Sequence, residues 1–236
     1  MSAVDSDCRL YTVSRMSSTV NRQTFAAQVF DMAVDAIVRG DFPPGSSISE
    51  AEIATRFGVS RAPAREALLR LGEKGLVTRT PHVGARVIEF SRDDLVELFE
   101  IREALEGLAC RLAAERITDH ELAHLEAALE SHSTAPDLAS GKSYFQRGGD
   151  EDFHFGIARA SGNIRLERHL CDDLYHLLRI YRFRSSTRTG RARQALSEHR
   201  AILAALKERD ADKAEAAMRH HIQQSKMNIG PVTSNS

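Results

Sequence analysis

Net charge, cysteine and long apolar runs are all scarce in this 236-residue chain, and each scarcity narrows what it can be. Lys and Arg number 32 against 33 Asp and Glu, so overall charge offers no attraction for nucleic acid or an acidic surface, and any such attraction has to be local. The three cysteines, Cys8, Cys110 and Cys171, are odd in number, far apart and outside any CxxC pattern. That excludes a disulfide framework and a thiolate zinc site, and it fits a reducing compartment. No stretch approaches the ~20 apolar residues that span a bilayer, and the start MSAVDSDCRLYTVSRMSSTV lacks a continuous hydrophobic segment of the signal-peptide kind. A cytoplasmic protein without membrane contact is expected. The length suits two ordinary domains, each able to bury a core.

Residues 1–22 are rich in Ser, Thr, Asp and Arg without apolar periodicity and read as a flexible tail, as do residues 229–236. From Thr24 the apolar positions Phe25, Val29, Met32, Ala33, Ala36 and Ile37 recur at helical spacing and stop at Gly40, before Pro43, Pro44 and Gly45. Ser49 and Glu52 have capping-box spacing for a short second helix with Ile53, Ala54 and Phe57 inside. Gly58 ends it. Ser60 is a suitable N-cap for a third helix, with Pro63 in its first turn and Ala64, Ala67, Leu68 and Leu71 as its inner stripe. After Gly75, TRTPHVGARVIE carries Pro81 and Gly84 between β-prone segments and predicts a hairpin.

Helices, tight turn and hairpin together predict a winged helix-turn-helix over residues 23–90. The later sequence predicts an all-α helical bundle over residues 91–228, with helices near 92–116, 118–131, 143–160, 163–184, 193–208 and 211–226. The fold class is therefore mainly α, in two domains.

In a helix-turn-helix the second helix enters the major groove and offers its N-terminal residues to base edges. Arg61 and Arg65, four apart at such a start, share a face, and an arginine there can bridge the O6 and N7 acceptors of guanine. Residues 61–86 hold six basic side chains against two acidic ones, whereas 24–90 as a whole is neutral. The local excess is the part that counts, because phosphate neutralisation carries much of the affinity for DNA.

Residues 46–87, SSISEAEIATRFGVSRAPAREALLRLGEKGLVTRTPHVGARV, resemble the DNA-binding domain of GntR-family bacterial transcription regulators. The resemblance implies that Ser60, Arg61, Arg65 and the wing around His82 and Gly84 touch a double-stranded operator. Ala51 departs from the pattern, because many relatives carry a DNA-contacting arginine there.

In the second domain, Asp150 and His154 are four apart in DEDFHF and can share one helix face. His199 and His221 are each eleven residues from Asp210, the centre of the turn ERDAD. Equal arms of an antiparallel helical hairpin set both at one level, roughly 16 Å from the turn. With Asp150 and His154, they would give a carboxylate and three imidazoles, a donor set for Zn, Ni, Mn or Fe with open positions. Two rival sets share the helical spacing: His120 with His124, and His169 with Asp173 and His176. Spacing alone leaves the three open.

The blocks IREALEGLACRLAA, DEDFHFGIARASGN and SEHRAILAALKERDADKAEAAMRHHI resemble the effector domain of the FadR subfamily of that family. The resemblance implies a divalent metal held by Asp150, His154, His199 and His221, with a small carboxylate effector beside it. By spacing, Arg102 and Glu106 form a helical ion pair; by the resemblance, Arg102 faces the effector. The expected protein is a regulator, most simply a repressor, that binds an inverted repeat as a homodimer, because one short helix reads few base pairs. The alternative is a metal-dependent enzyme acting on a small carboxylic acid, which lacks a general base and leaves the first domain without a purpose.

Overall fold

The computed structural model describes residues 24–80, 84–134, 152–186 and 191–228. Both expected tails, His82, Asp150 and the first part of the helix expected over 143–160 lie outside the described residues.

Helix α1 (Phe25–Arg39) starts where Thr24 accepts the Ala27 amide at 3.2 Å and stops at Gly40, whose φ of 83° is open to a residue without Cβ. Helices α2 (Glu50–Phe57) and α3 (Arg61–Glu73) follow. The Ser49 hydroxyl accepts the Glu52 amide and donates to the Glu52 carboxylate, as the spacing predicts. Strands β2 (Val77–Thr80) and β3 (Gly84–Val87) form the wing, in register Val77 to Val87 and Thr80 to Gly84.

A third strand, β1 (Ser47–Ile48), pairs antiparallel with β3 and makes the order β1-β3-β2. Sequence reading missed it, since two residues show no alternation. Ile48, Ile53, Ala64, Leu71 and Leu76 close the core beneath.

The second part holds α4 (Arg92–Arg116), α5 (Asp119–Ser133), α6 (Phe153–Ala160), α7 (Ile164–Arg168), a π-helical turn (His169–Asp173), α8 (Tyr175–Ser186), α9 (Arg191–Lys207) and α10 (Ala211–Met227). Capping boxes at Ser91 with Asp94 and at Thr118 with Glu121 start α4 and α5. The winged domain followed by a helical bundle is the expected architecture.

One expected element differs. The helix predicted over 163–184 is broken by the π-turn, and the apolar pattern gives the reason. Leu166 and Leu170 pack with Ala109 and Ala158, Leu178 joins the main bundle core, and Ile180 joins the core of the winged domain. One straight stripe cannot face three cores, and an extra residue in the turn re-aims it. Helix α8 thereby docks on α1, where Arg179 Nη2 meets Asp35 Oδ1 at 2.7 Å.

Candidate nucleic-acid interface and metal centre

Ser60 stands at the N-cap of α3 with extended backbone, but its hydroxyl makes no capping bond. Ser60, Arg61 and Arg65 are exposed, and Arg65 has only a long contact to Glu50, 3.9 Å, with its side chain 71% accessible. The buried Ala64, Ala67, Leu68 and Leu71 hold the opposite face. Between α2, α3 and the wing lies a groove of about 630 Å³ bordered by Ser49, Glu50, Leu68, Arg79, Thr80 and Gly84. Gly84 has a φ of 109°, which a side chain would strain.

The six basic residues of 61–86 divide. Arg61, Arg65, Arg79 and Arg86 are exposed, but Arg86 donates to the Gly45 carbonyl at 2.7 Å, while Arg70 lies over the Phe30 ring at 4.5 Å and Lys74 reaches the Asp172 carbonyl at 3.4 Å. Three of the six charges fasten the fold.

The second cluster is interior. His154 enters near the start of α6, His199 from the middle of α9 and His221 from α10, and each is at most 5% exposed. The Nε2 of His199 stands 3.1 Å from that of His154 and 3.3 Å from that of His221. The equal arms of the α9–α10 hairpin bring the last two together. Among the described residues this is the group of three metal-type side chains whose ligand atoms lie within 4.8 Å of one another. His120, His124 and His169 are exposed, and His176 is buried elsewhere.

The outward nitrogens explain the orientation. His154 Nδ1 bonds Glu106 Oε2, and His221 Nδ1 lies 2.6 Å from Glu198 Oε2. Each glutamate is held by a buried arginine: Arg102 Nε to Glu106 at 2.5 Å, and Arg191 Nη2 to Glu198 at 2.8 Å. Arg191 Nη2 also donates to Ser225 Oγ at 2.8 Å. A carboxylate on Nδ1 fixes the proton there and leaves a bare lone pair on Nε2. Two such lone pairs face His199 Nε2, which has at most one proton to offer.

A cation at the centre would satisfy all three nitrogens. Metal–nitrogen bonds of about 2.0–2.1 Å in a tetrahedron set nitrogens about 3.3 Å apart, and the His154–His199 and His199–His221 separations of 3.1 and 3.3 Å agree. Burial pushes His221 down to about 4, against the upward pull of the Glu198 hydrogen bond, so the imidazole is neutral and free to ligate. Burial alone would raise Glu198, but hydrogen bonds from His221 and Arg191 outweigh it and hold the carboxyl below its usual range.

Asp152, two residues before His154, is the N-cap of α6 and accepts the His154 and Phe155 amides at 3.0 and 3.3 Å. Among the described residues, Arg191 Nη1 and Glu198 Oε1 are buried without a hydrogen-bond partner.

Sequence reading named Glu106 only as an ion-pair partner and missed Glu198, Arg191 and Ser225. A signal existed. Arg191 and Glu198 are seven apart and Ser225 is four beyond His221, so all three are polar residues on stripes that otherwise read as core.

Comparison with known proteins agrees with both halves. Residues 25–87 match the family of bacterial regulatory proteins, gntR family, and residues 97–224 match the FCD domain. The chain is 36% identical to a probable D-xylose utilization operon transcriptional repressor of Paenarthrobacter nicotinovorans, over 87% of this chain and 89% of that protein. It is 30% identical to the HTH-type transcriptional repressor RspR of Escherichia coli K12, over 87% and 91%. Among solved structures, E. coli McbR/YncC superposes with a TM-score of 0.68 at 24% identity, covering 85% of this chain and 94% of that one, a likeness of fold. The first two are named as transcriptional repressors, and the matching family is one of regulators and not of enzymes. The chain belongs to the GntR family of bacterial transcription regulators, with an FCD domain behind its winged helix-turn-helix.

Proposed function

We propose that this regulator is a metal-containing repressor that binds an inverted-repeat operator as a homodimer in the cytoplasm and senses a small organic acid through the FCD domain. Residues 23–90 read DNA, with Ser60, Arg61, Arg65, His82 and Gly84 at the duplex, and residues 91–228 bind effector and partner. His154, His199 and His221 hold a divalent ion, Zn, Ni, Mn or Fe, and Asp150 supplies the carboxylate. Bound there, the ion is a Lewis acid with positions open to a carboxylate. Arg102 and Arg191 flank the triad and stabilise an acid beside it, Arg191 through its unpartnered Nη1. On α4, Ile101 and Leu108 are exposed, and Leu105 and Leu112 on the same stripe are half-buried; this stripe suits a second copy. The relatives named as repressors support the direction of control.

The observation that carries the metal part is three imidazole Nε2 atoms converging while glutamates take two of the Nδ1 atoms. The test is calorimetric titration of chelator-treated protein with zinc, then a thermal-shift screen of small carboxylic acids with and without metal. Expected is zinc binding, and acid binding that needs the metal. Acids that bind equally well after chelation would make the metal purely structural, and absence of zinc binding would end the metal reading.

A further inference from the structure

We propose that the π-helical turn His169–Asp173, together with Lys74, Tyr175 and His176, is the joint through which the metal centre positions the recognition helix α3; this rests on the metal reading above. The ladder begins beside a ligand. Phe155, next to His154 on α6, lies 4.9 Å between ring centroids from Tyr175. Tyr175 is 4.6 Å from His176, and His176 meets Phe30 of α1 edge-on at 5.2 Å. The Arg70 guanidinium of α3 sits over that same Phe30 ring at 4.5 Å. Side chains in contact thus lead from the metal-bearing helix to the helix that enters DNA.

Contact alone transmits nothing, because coupling needs an element with two discrete arrangements. In this proposal the π-turn is that element. It carries one residue more than an α-turn, and loss of that residue from the turn would rotate α8 by about 100° and move it by about 1.5 Å. Two bonds hold the present register: the Leu174 amide to the His169 carbonyl at 3.0 Å, and Lys74 Nζ to the Asp172 carbonyl at 3.4 Å. Lys74 is the C-cap residue of α3, so the recognition helix grips the turn directly. Beyond the turn, Leu178 faces the bundle core and Ile180 the winged-domain core, with Leu177 against both. Buried His176 Nδ1, without a hydrogen-bond partner, adds no directional bond to resist the shift.

The experiment is amide hydrogen exchange on the full chain, zinc-saturated and chelated, for wild type, Tyr175→Leu and Lys74→Met. In wild type, zinc is expected to slow exchange in 153–160 and, several-fold, in 25–39 and 61–73. In both variants the effect on 153–160 persists while the zinc-dependent ratio in 61–73 falls to a third or less. A merely structural role would raise exchange in both states and leave that ratio alone. If Tyr175→Leu does not fold, the partly exposed Lys74→Met carries the test. Zinc protection of 153–160 without any response in 25–39 and 61–73, or an unchanged ratio in the variants, overturns the joint and spares the metal site. Absence of any zinc effect on 153–160 overturns both.

Discussion

The tip of α3 and the imidazole triad are both clusters of polar side chains, built under opposite conditions. Arg61 and Arg65 stand in water, where a guanidinium needs no close protein partner and waits for an acceptor. His154, His199 and His221 stand in the interior, where every polar atom needs a partner. The exposed cluster is therefore bare and the buried one is layered, with imidazoles at the centre, glutamates behind and arginines behind those. An exposed site is changed one residue at a time, whereas a buried site fails as a unit.

The sharpest break of that contrast is His199→Ala, which removes the nitrogen facing both others. Zinc affinity measured by calorimetry is expected to fall by more than the ~100-fold that an outer partner is worth, while DNA affinity of the metal-free protein stays unchanged. A loss below tenfold would mean that the three Nε2 atoms do not share an ion.

Next in size is Glu198→Gln. The amide keeps the shape but no longer enforces a proton on His221 Nδ1, and it leaves Arg191 without its counter-charge. Zinc affinity should fall about 10–100-fold. Glu106→Gln should act alike through His154 and Arg102. Wild-type affinity in both would make the glutamates packing residues only.

On the exposed side, Arg61→Ala and Arg65→Ala should each weaken operator binding by about 1–3 kcal/mol and relax preference at one base pair. Arg79→Ala should weaken all sequences alike and lower the salt slope by about one. These effects should add, because the side chains share no buried partner. Strong non-additivity between Arg61 and Arg65 in operator titrations at fixed salt would erase the contrast with the triad.

The same contrast explains what the sequence could tell. Surface positions announce themselves locally: Ser60, Arg61 and Gly84 sit at a helix start and a turn that their neighbours specify. His199 and His221 were also legible, because a hairpin with equal arms converts distance along the chain into distance in space. Glu198, Arg191 and the three-way split of Leu166, Leu178 and Ile180 were not, since each depends on which of several surfaces a helix meets after the chain has folded back. Strand β1 failed for a different reason, being held by β3 and not by any preference of Ser47 and Ile48.

His176 offers the smallest and most specific test, because it is buried like the triad, yet its Nδ1 has no hydrogen-bond partner among the described residues. Burial first, then Arg179, Lys74 and Arg70, push it down to about 4; Asp35 of α1 already pairs with Arg179. The native state thus refuses a proton that the unfolded chain, near the usual ~6.5, accepts. Stability is complete above that value, falls as pH drops through the interval from about 6.5 to 4, and loses no more below it. Between pH 7 and pH 6 the loss should be about 0.7 kcal/mol. Urea unfolding of wild type and His176→Phe at both pH values isolates this group from the other histidines, which both proteins share. Wild type should lose more stability than the variant on acidification, and equal losses would show that the ring at the domain joint is hydrated and not sealed between Phe30 and Tyr175.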